Sequence, residues 1–136
     1  MADDSRVFGV EIITPDRVFH KGEATMIEFN TAAGEIGVYK NHIPLTTVLA
    51  PGVVTIHKDG EDKMIAAVHS GFAEILPDKV TLLAEVAEWP DEIDVERAQA
   101  AKARAEERLA NKTEAIDVQR AELALCRALV RIDIAK

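Results

Sequence analysis

The spacing of apolar residues changes at Trp89-Pro90, and that break limits the possible folds more than any other feature. Before it, apolar residues recur at every second position. Val80, Leu82, Ala84 and Val86 alternate with Thr81, Leu83, Glu85 and Ala87, and Phe8, Val10 and Ile12 alternate with Gly9, Glu11 and Ile13. Successive strand residues point to opposite faces, so this period predicts mostly buried strands. Residues 25–30 and 52–56 predict two further short strands.

Turn signals separate these runs. Thr14-Pro15-Asp16-Arg17 and Leu76-Pro77-Asp78-Lys79 carry Pro second and Asp third, which suits a type I turn. Asp59-Gly60 predicts a hairpin, and Pro51-Gly52 predicts a type II turn with Gly52 at positive φ. Gly34-Glu35-Ile36-Gly37 reads as a tight glycine-permitted turn between strands. Many short strands with frequent turns predict an antiparallel sandwich or barrel.

Beyond Pro90, which lacks the N–H needed for strand pairing, the period becomes helical. Asp94 is a good N-cap for a helix from Val95 to about Ala110, and Asp117 caps a second one reaching about Ile134. Residues 111–116 interrupt the pattern. Two helices joined by so short a segment predict an antiparallel αα-hairpin. Ala98, Ala101 and Ala105 share one face of the first helix, and Val118, Ala121, Leu125, Ala128 and Ile132 share one face of the second. A buried methyl contributes about 0.8 kcal/mol, against roughly 1.5–3 kcal/mol for a whole Leu. An Ala-lined seam therefore packs closely but holds weakly. The sequence thus divides into a strand region, 1–90, and a helical arm, 91–136, in an α+β chain.

Composition narrows the function. A net charge of −8 argues against general nucleic-acid binding, which needs a cationic surplus. The acidic start, Met1-Ala2-Asp3-Asp4-Ser5-Arg6, does not resemble a signal or transit peptide, and the apolar runs are too short to span a bilayer. The chain is therefore expected to be soluble and cytoplasmic, meeting a membrane only through a partner. Cys126, the single cysteine, cannot form an internal disulfide.

Catalytic patterns are missing. His20, His42, His57 and His69 have no pair at helical metal-site spacing, so no metal site is expected. Ser5 and Ser70 lie in no nucleophile-elbow context, and residues 34–37 lack the Gly-Lys-Ser/Thr ending of a P-loop. Six of the eight arginines lie in the arm. Arg127 and Arg131, four residues apart, share a helix face, and an antiparallel hairpin brings Arg97 beside them. Three guanidinium groups there could hold a polyphosphate bidentately. Glu88 and Asp94 flank the same end and could accept from a base amino group or a ribose hydroxyl. The competing reading is a solvated face with local ion pairs, such as Asp94 with Arg97.

The block from Gly34 through Val38-Tyr39-Lys40-Asn41-His42-Ile43-Pro44-Leu45 resembles a G-x-x-G-hydrophobic-x-x-x-H-x-P-L signature. Leu49-Ala50-Pro51-Gly52-Val53, Ser70-Gly71-Phe72-Ala73-Glu74-Ile75, Val80-Thr81-Leu82-Leu83-Ala84 and Ile93-Asp94-Val95-Glu96-Arg97-Ala98 follow in order. Together these blocks resemble the ε subunit of bacterial F-type ATP synthases over nearly the whole chain. The resemblance implies a β-sandwich of about ten strands that binds the γ subunit and sits on the c-ring. It assigns Glu35, and His42 nearby, to the c-ring surface. It also implies a non-catalytic regulatory role at the cytoplasmic face of the plasma membrane.

Ile93-Asp94-Val95-Glu96-Arg97-Ala98 also matches the I/L-D-x-x-R-A motif of ε subunits that bind ATP between their two helices. That resemblance implies base and ribose recognition near Glu88, Ile93 and Asp94, beside Ala98, with phosphate contacts from Arg97, Arg127 and Arg131. ATP is then a regulatory ligand, and no cofactor is required. A folded arm is expected to be permissive, and an extended arm to reach the catalytic β and α subunits and inhibit ATP hydrolysis. The alternative is a stand-alone β-sandwich adaptor with a helical dimerisation tail.

Overall fold

The computed structural model describes residues 6–111 and 117–135. Expectations for Met1–Ser5 and for residues 112–116 of the inter-helix segment lie outside the described residues. The strands are β1 (Phe8–Ile13), β2 (Val18–Ala24), β3 (Met26–Thr31), β4 (Gly34–Val38), β5 (Leu45–Leu49), β6 (Gly52–His57), β7 (Met64–Leu76) and β8 (Lys79–Glu88). A 3-10 turn at Pro90–Glu92 leads into α1 (Val95–Ala110), and α2 spans Val118–Ile134.

The strands follow the order β2-β1-β8-β7-β5-β3-β4, with β6 pairing both β3 and β7. Pairing is antiparallel except between β1 and β8, which run parallel. The layers close over Phe8, Val10, Ile12, Ile27, Phe29, Val38, Val54, Ile75, Val80 and Leu82, which form one buried cluster. Strands from both ends of the sheet meet in that cluster, which is the sandwich arrangement expected of alternating strands. The described residues carry eight strands against an expectation of about ten. One strand of the difference is accounted for by β7, which serves twice, pairing β6 through residues 64–68 and β5 through residues 71–75.

Where β7 passes from one partner to the other it bends, with Ser70 at φ 58° and Gly71 at φ 126°. A Cβ at Gly71 would overlap the Leu83 carbonyl, so the bend requires glycine there. The alternation of β8 shifts near the same place. Val80, Leu82 and Ala84 are buried as predicted, but Ala87 is buried and Val86 is turned outward.

Two turn expectations are corrected. Residues 34–37 form a strand, with Glu35 opposite Asn30 and Gly37 opposite Glu28. The corner lies one step earlier, where Thr31 Oγ1 donates to the Gly34 carbonyl at 2.7 Å and Gly34 takes φ 121°. Gly52 is not among the glycines at positive φ. It is small for a different reason: a Cβ there would come within 2.6 Å of Asn30 Cβ.

Both helices start as predicted. The Asp94 carboxylate accepts from Arg97 N–H and the Asp117 carboxylate from Arg120 N–H, each at 3.1 Å. These bonds satisfy first-turn amides that have no intrahelical partner. The helices pack against each other through buried Ala98, Ala105, Ala121 and Ala128. The hairpin is folded onto the sheet, because Ile134 and Val130 of α2 pack with Ala67 and Ile65 of β7, Val53 of β6, and Ile93.

Candidate ligand site at the root of the hairpin

The root of α1 is fixed to the sheet before the helix begins. The Trp89 ring stacks on Phe19 of β2 at 4.3 Å between centroids. Trp89 N–H donates to Glu92 Oε1 at 2.9 Å, and Arg17 donates to both Glu92 oxygens at 2.9 and 3.0 Å. The Trp89 amide, with Arg17 second, holds the Glu92 carboxyl below its ordinary pKa.

This fixed root, the first three turns of α1 and the end of α2 enclose a cavity of about 310 Å³. Glu88, Glu92 and Asp94 line it with carboxylates, and Arg97, Arg104 and Arg131 with guanidinium groups. Ala98 and Ala101 supply its apolar floor. Small-ligand pockets run from about 300 to 1,000 Å³ and combine apolar walls with a few polar groups. Arg131 Nε donates to Glu88 Oε1 at 2.6 Å across the mouth between α2 and β8, with both side chains about three-quarters buried.

Of the predicted ligand residues, Glu88, Asp94, Arg97, Ala98 and Arg131 line this cavity. Ile93 and Arg127 do not. Ile93 is buried in the apolar cluster under α2. Arg127 turns to the sheet and donates to Ser70 Oγ at 2.9 Å. The spacing of four was a sound guide to a shared face of α2, but that face also packs on β7, and Arg127 lies on its sheet side. Arg104, Ala101 and Glu92 were missed. Arg97, Ala101 and Arg104 stand four and three residues apart, so the helical period contained the signal.

His69 was also missed. It is completely buried beneath α2, with its Nε2 4.0 Å from Glu88 Oε1. Burial, then Arg131 and Arg127, lower its pKa to about 4, so the ring is neutral near pH 7.

Glu35 and His42 lie away from this cavity, on the β4 strand and the segment after it. Glu35 is exposed and His42 half-buried, with His42 Nδ1 2.7 Å from the Ile43 carbonyl. Tyr39 and Ile43 are also exposed, at 62% and 75%, so this end of the sandwich carries apolar surface. Among the described residues, no group of three His, Cys, Asp or Glu could hold a metal ion. No described helix is long and apolar enough to cross a membrane.

A β-sandwich with a folded helical hairpin and a charged cleft at the hairpin's root defines a two-part α+β chain. Residues 7–90 match the family described as ATP synthase, Delta/Epsilon chain, beta-sandwich domain. Residues 91–136 match ATP synthase, Delta/Epsilon chain, long alpha-helix domain. The chain therefore belongs to the ATP synthase delta/epsilon family, and like its relatives it is a non-catalytic subunit. It is 48% identical over 131 residues to the ATP synthase epsilon chain of Caldanaerobacter subterraneus subsp. tengcongensis, covering 96% of this chain and 94% of that one. It is 50% identical over 127 residues to the epsilon chain of Brevibacillus brevis, covering 93% and 96%. A chain in the Euglena gracilis mitochondrial ATP synthase OSCP/F1/c-ring structure superposes with a TM-score of 0.80 at 25% identity, covering 94% of this chain and 80% of that one. A chain from the Tetrahymena thermophila mitochondrial central stalk and c-ring, at 13% identity and TM-score 0.61, shares the fold.

Proposed function

We propose that this chain is the epsilon subunit of a bacterial ATP synthase central stalk. In this reading residues 1–90 join the γ subunit to the c-ring, and residues 91–136 regulate ATP hydrolysis. The family membership and the F1/c-ring setting of the Euglena relative support the rotor role. Exposed Glu35 and half-buried His42, at one end of the sandwich, are the side chains offered to the c-ring. The subunit then reaches the cytoplasmic face of the membrane through the complex.

The hairpin is the regulatory part. Folded, it rests on β6 and β7. Opened end to end, about 40 helical residues reach on the order of 60 Å, enough to run along a shaft to the catalytic β and α subunits. There the arginines of α2 could meet acidic residues and block rotation.

ATP is the regulatory ligand in this reading, bound in the cavity at the hairpin's root. One observation carries the claim: Arg97 and Arg104 of α1 and Arg131 of α2 border the same space as Glu88 and Asp94. Arginine binds phosphate oxygens through paired N–H groups, and carboxylates accept from amino or hydroxyl groups. A ligand that needs both helices binds only the folded arm and shifts the population by its differential affinity.

Calorimetric titration of the full chain with magnesium-free ATP tests this. Heat is expected from the wild type, with affinity falling roughly tenfold or more in Arg97→Ala, since a charge-assisted hydrogen bond contributes about 1.5–3 kcal/mol. No heat at millimolar ATP ends the nucleotide reading and leaves the rotor role standing. Truncation after Pro90 in the assembled complex tests inhibition, and ATP hydrolysis should rise.

A further inference from the structure

His69 is fully buried, yet it does not belong to the sandwich core. Alternation along β7 sends Ala66 and Val68 inward and Ala67 outward, into the seam with Ile134 and Val130. His69 has the parity of Ala67 and faces the same seam. Charged groups face it there from two elements: Glu88 from β8, and Arg127 and Arg131 from α2. From β6, Val53 packs into the seam.

Among the described residues neither ring nitrogen of His69 has a hydrogen-bond partner, and the Nε of Arg127 is likewise buried without one. Buried polar atoms are ordinarily paired, so an unpaired ring beside two guanidinium groups calls for a physical reason. Among the described residues the ring's carboxylate neighbour is Glu88, and its Oε1 is already held by Arg131 at 2.6 Å while standing 4.0 Å from His69 Nε2. The site holds a neutral imidazole, and an imidazolium there would have to compete with Arg131 for the Glu88 carboxylate.

We propose that His69 is a proton-operated release for the hairpin: a proton taken up by its ring adds a third positive charge beneath Arg127 and Arg131 and lifts α2 from the sheet. The linkage follows from the two states. With α2 docked, the ring titrates at about 4, against an ordinary value of 6.5. With α2 lifted, the ring meets water and returns to its ordinary range. A base whose pKa is depressed in the docked state favours docking at high pH. That preference begins to fail as pH falls through about 6.5 and is lost progressively down to about 4. At about pH 5.5 the docked-to-lifted ratio is then roughly tenfold below its value at neutral pH. The release needs no nucleotide, so it stands or falls separately from the ligand reading.

The test is hydrogen exchange on the full nucleotide-free chain at about pH 7.5 and about pH 5.5, corrected for intrinsic rates. It reads rare openings, so a small lifted population suffices. Wild-type α2 amides should lose roughly tenfold in protection while the β3 and β8 amides hold theirs. In His69→Gln the α2 loss should vanish. Equal losses in the two proteins, or no loss in the wild type, overturn the proposal. An NMR titration of the wild-type His69 ring supplies a second reading that no variant's folding can obscure. A ring titrating near its ordinary value in the docked protein also overturns it.

Discussion

The sandwich and the hairpin bury their surfaces by different means. The sandwich interior is Phe29, Ile12, Ile27, Ile75 and Leu82, all fully buried and contributed by several strands. The seam between the helices is Ala98, Ala105, Ala121 and Ala128. Each large side chain contributes roughly 1.5–3 kcal/mol on burial, and each alanine methyl about 0.8 kcal/mol. What secures α2 to the sheet is a small apolar patch with two arginine contacts, Arg131 to Glu88 and Arg127 to Ser70. The first region is built to keep one shape. The second is held in place by a few polar bonds and a small apolar patch. The contrast assigns rigidity to the part that would join other subunits and reversibility to the part that would regulate.

Substitutions can break or sharpen that contrast. Phe29→Ala empties the centre of the sandwich and should cost about 3–5 kcal/mol of global stability, read by denaturant unfolding. Arg131→Ala should leave that global value nearly unchanged. It should instead lower the free energy of α2 opening by about 1–2 kcal/mol, because Glu88 loses its charged donor. Hydrogen exchange separates the two effects, and a global loss from Arg131→Ala would erase the distinction between the regions. Asp117→Ala removes the α2 N-cap and should cost about 1 kcal/mol, seen as fraying of the first turn of α2 with the core untouched.

Legibility in the sequence follows the same division. Helix starts were readable because a capping carboxylate acts locally: Asp94 and Asp117 each bond an amide three residues on. The inward phase of Val80, Leu82 and Ala84 was readable for a similar reason, since a strand's period is set residue by residue. Val86 escaped because its orientation depends on the bend of β7 at Ser70–Gly71, which lies on another strand. Residues 34–37 misled because two glycines suggest a turn, while β3 supplies the hydrogen bonds that make the segment a strand. At the candidate site, spacing placed Arg97 and Arg131 together, and both border one cavity. It could not separate Arg127, because the choice between cavity and sheet is made by Ser70, 57 positions away. His69 gave no signal of its own, since its burial is created by α2.

The central claim is that the hairpin opens as a unit well below the free energy needed to unfold the sandwich, and that ATP closes it. Amide hydrogen exchange of the full chain, with and without saturating magnesium-free ATP, tests both halves together. The account predicts weak protection of α1 and α2 relative to β3, β7 and β8 without ATP, and a rise confined to the helices when ATP is added. Helices and core exchanging at one common free energy, unmoved by ATP, would contradict it.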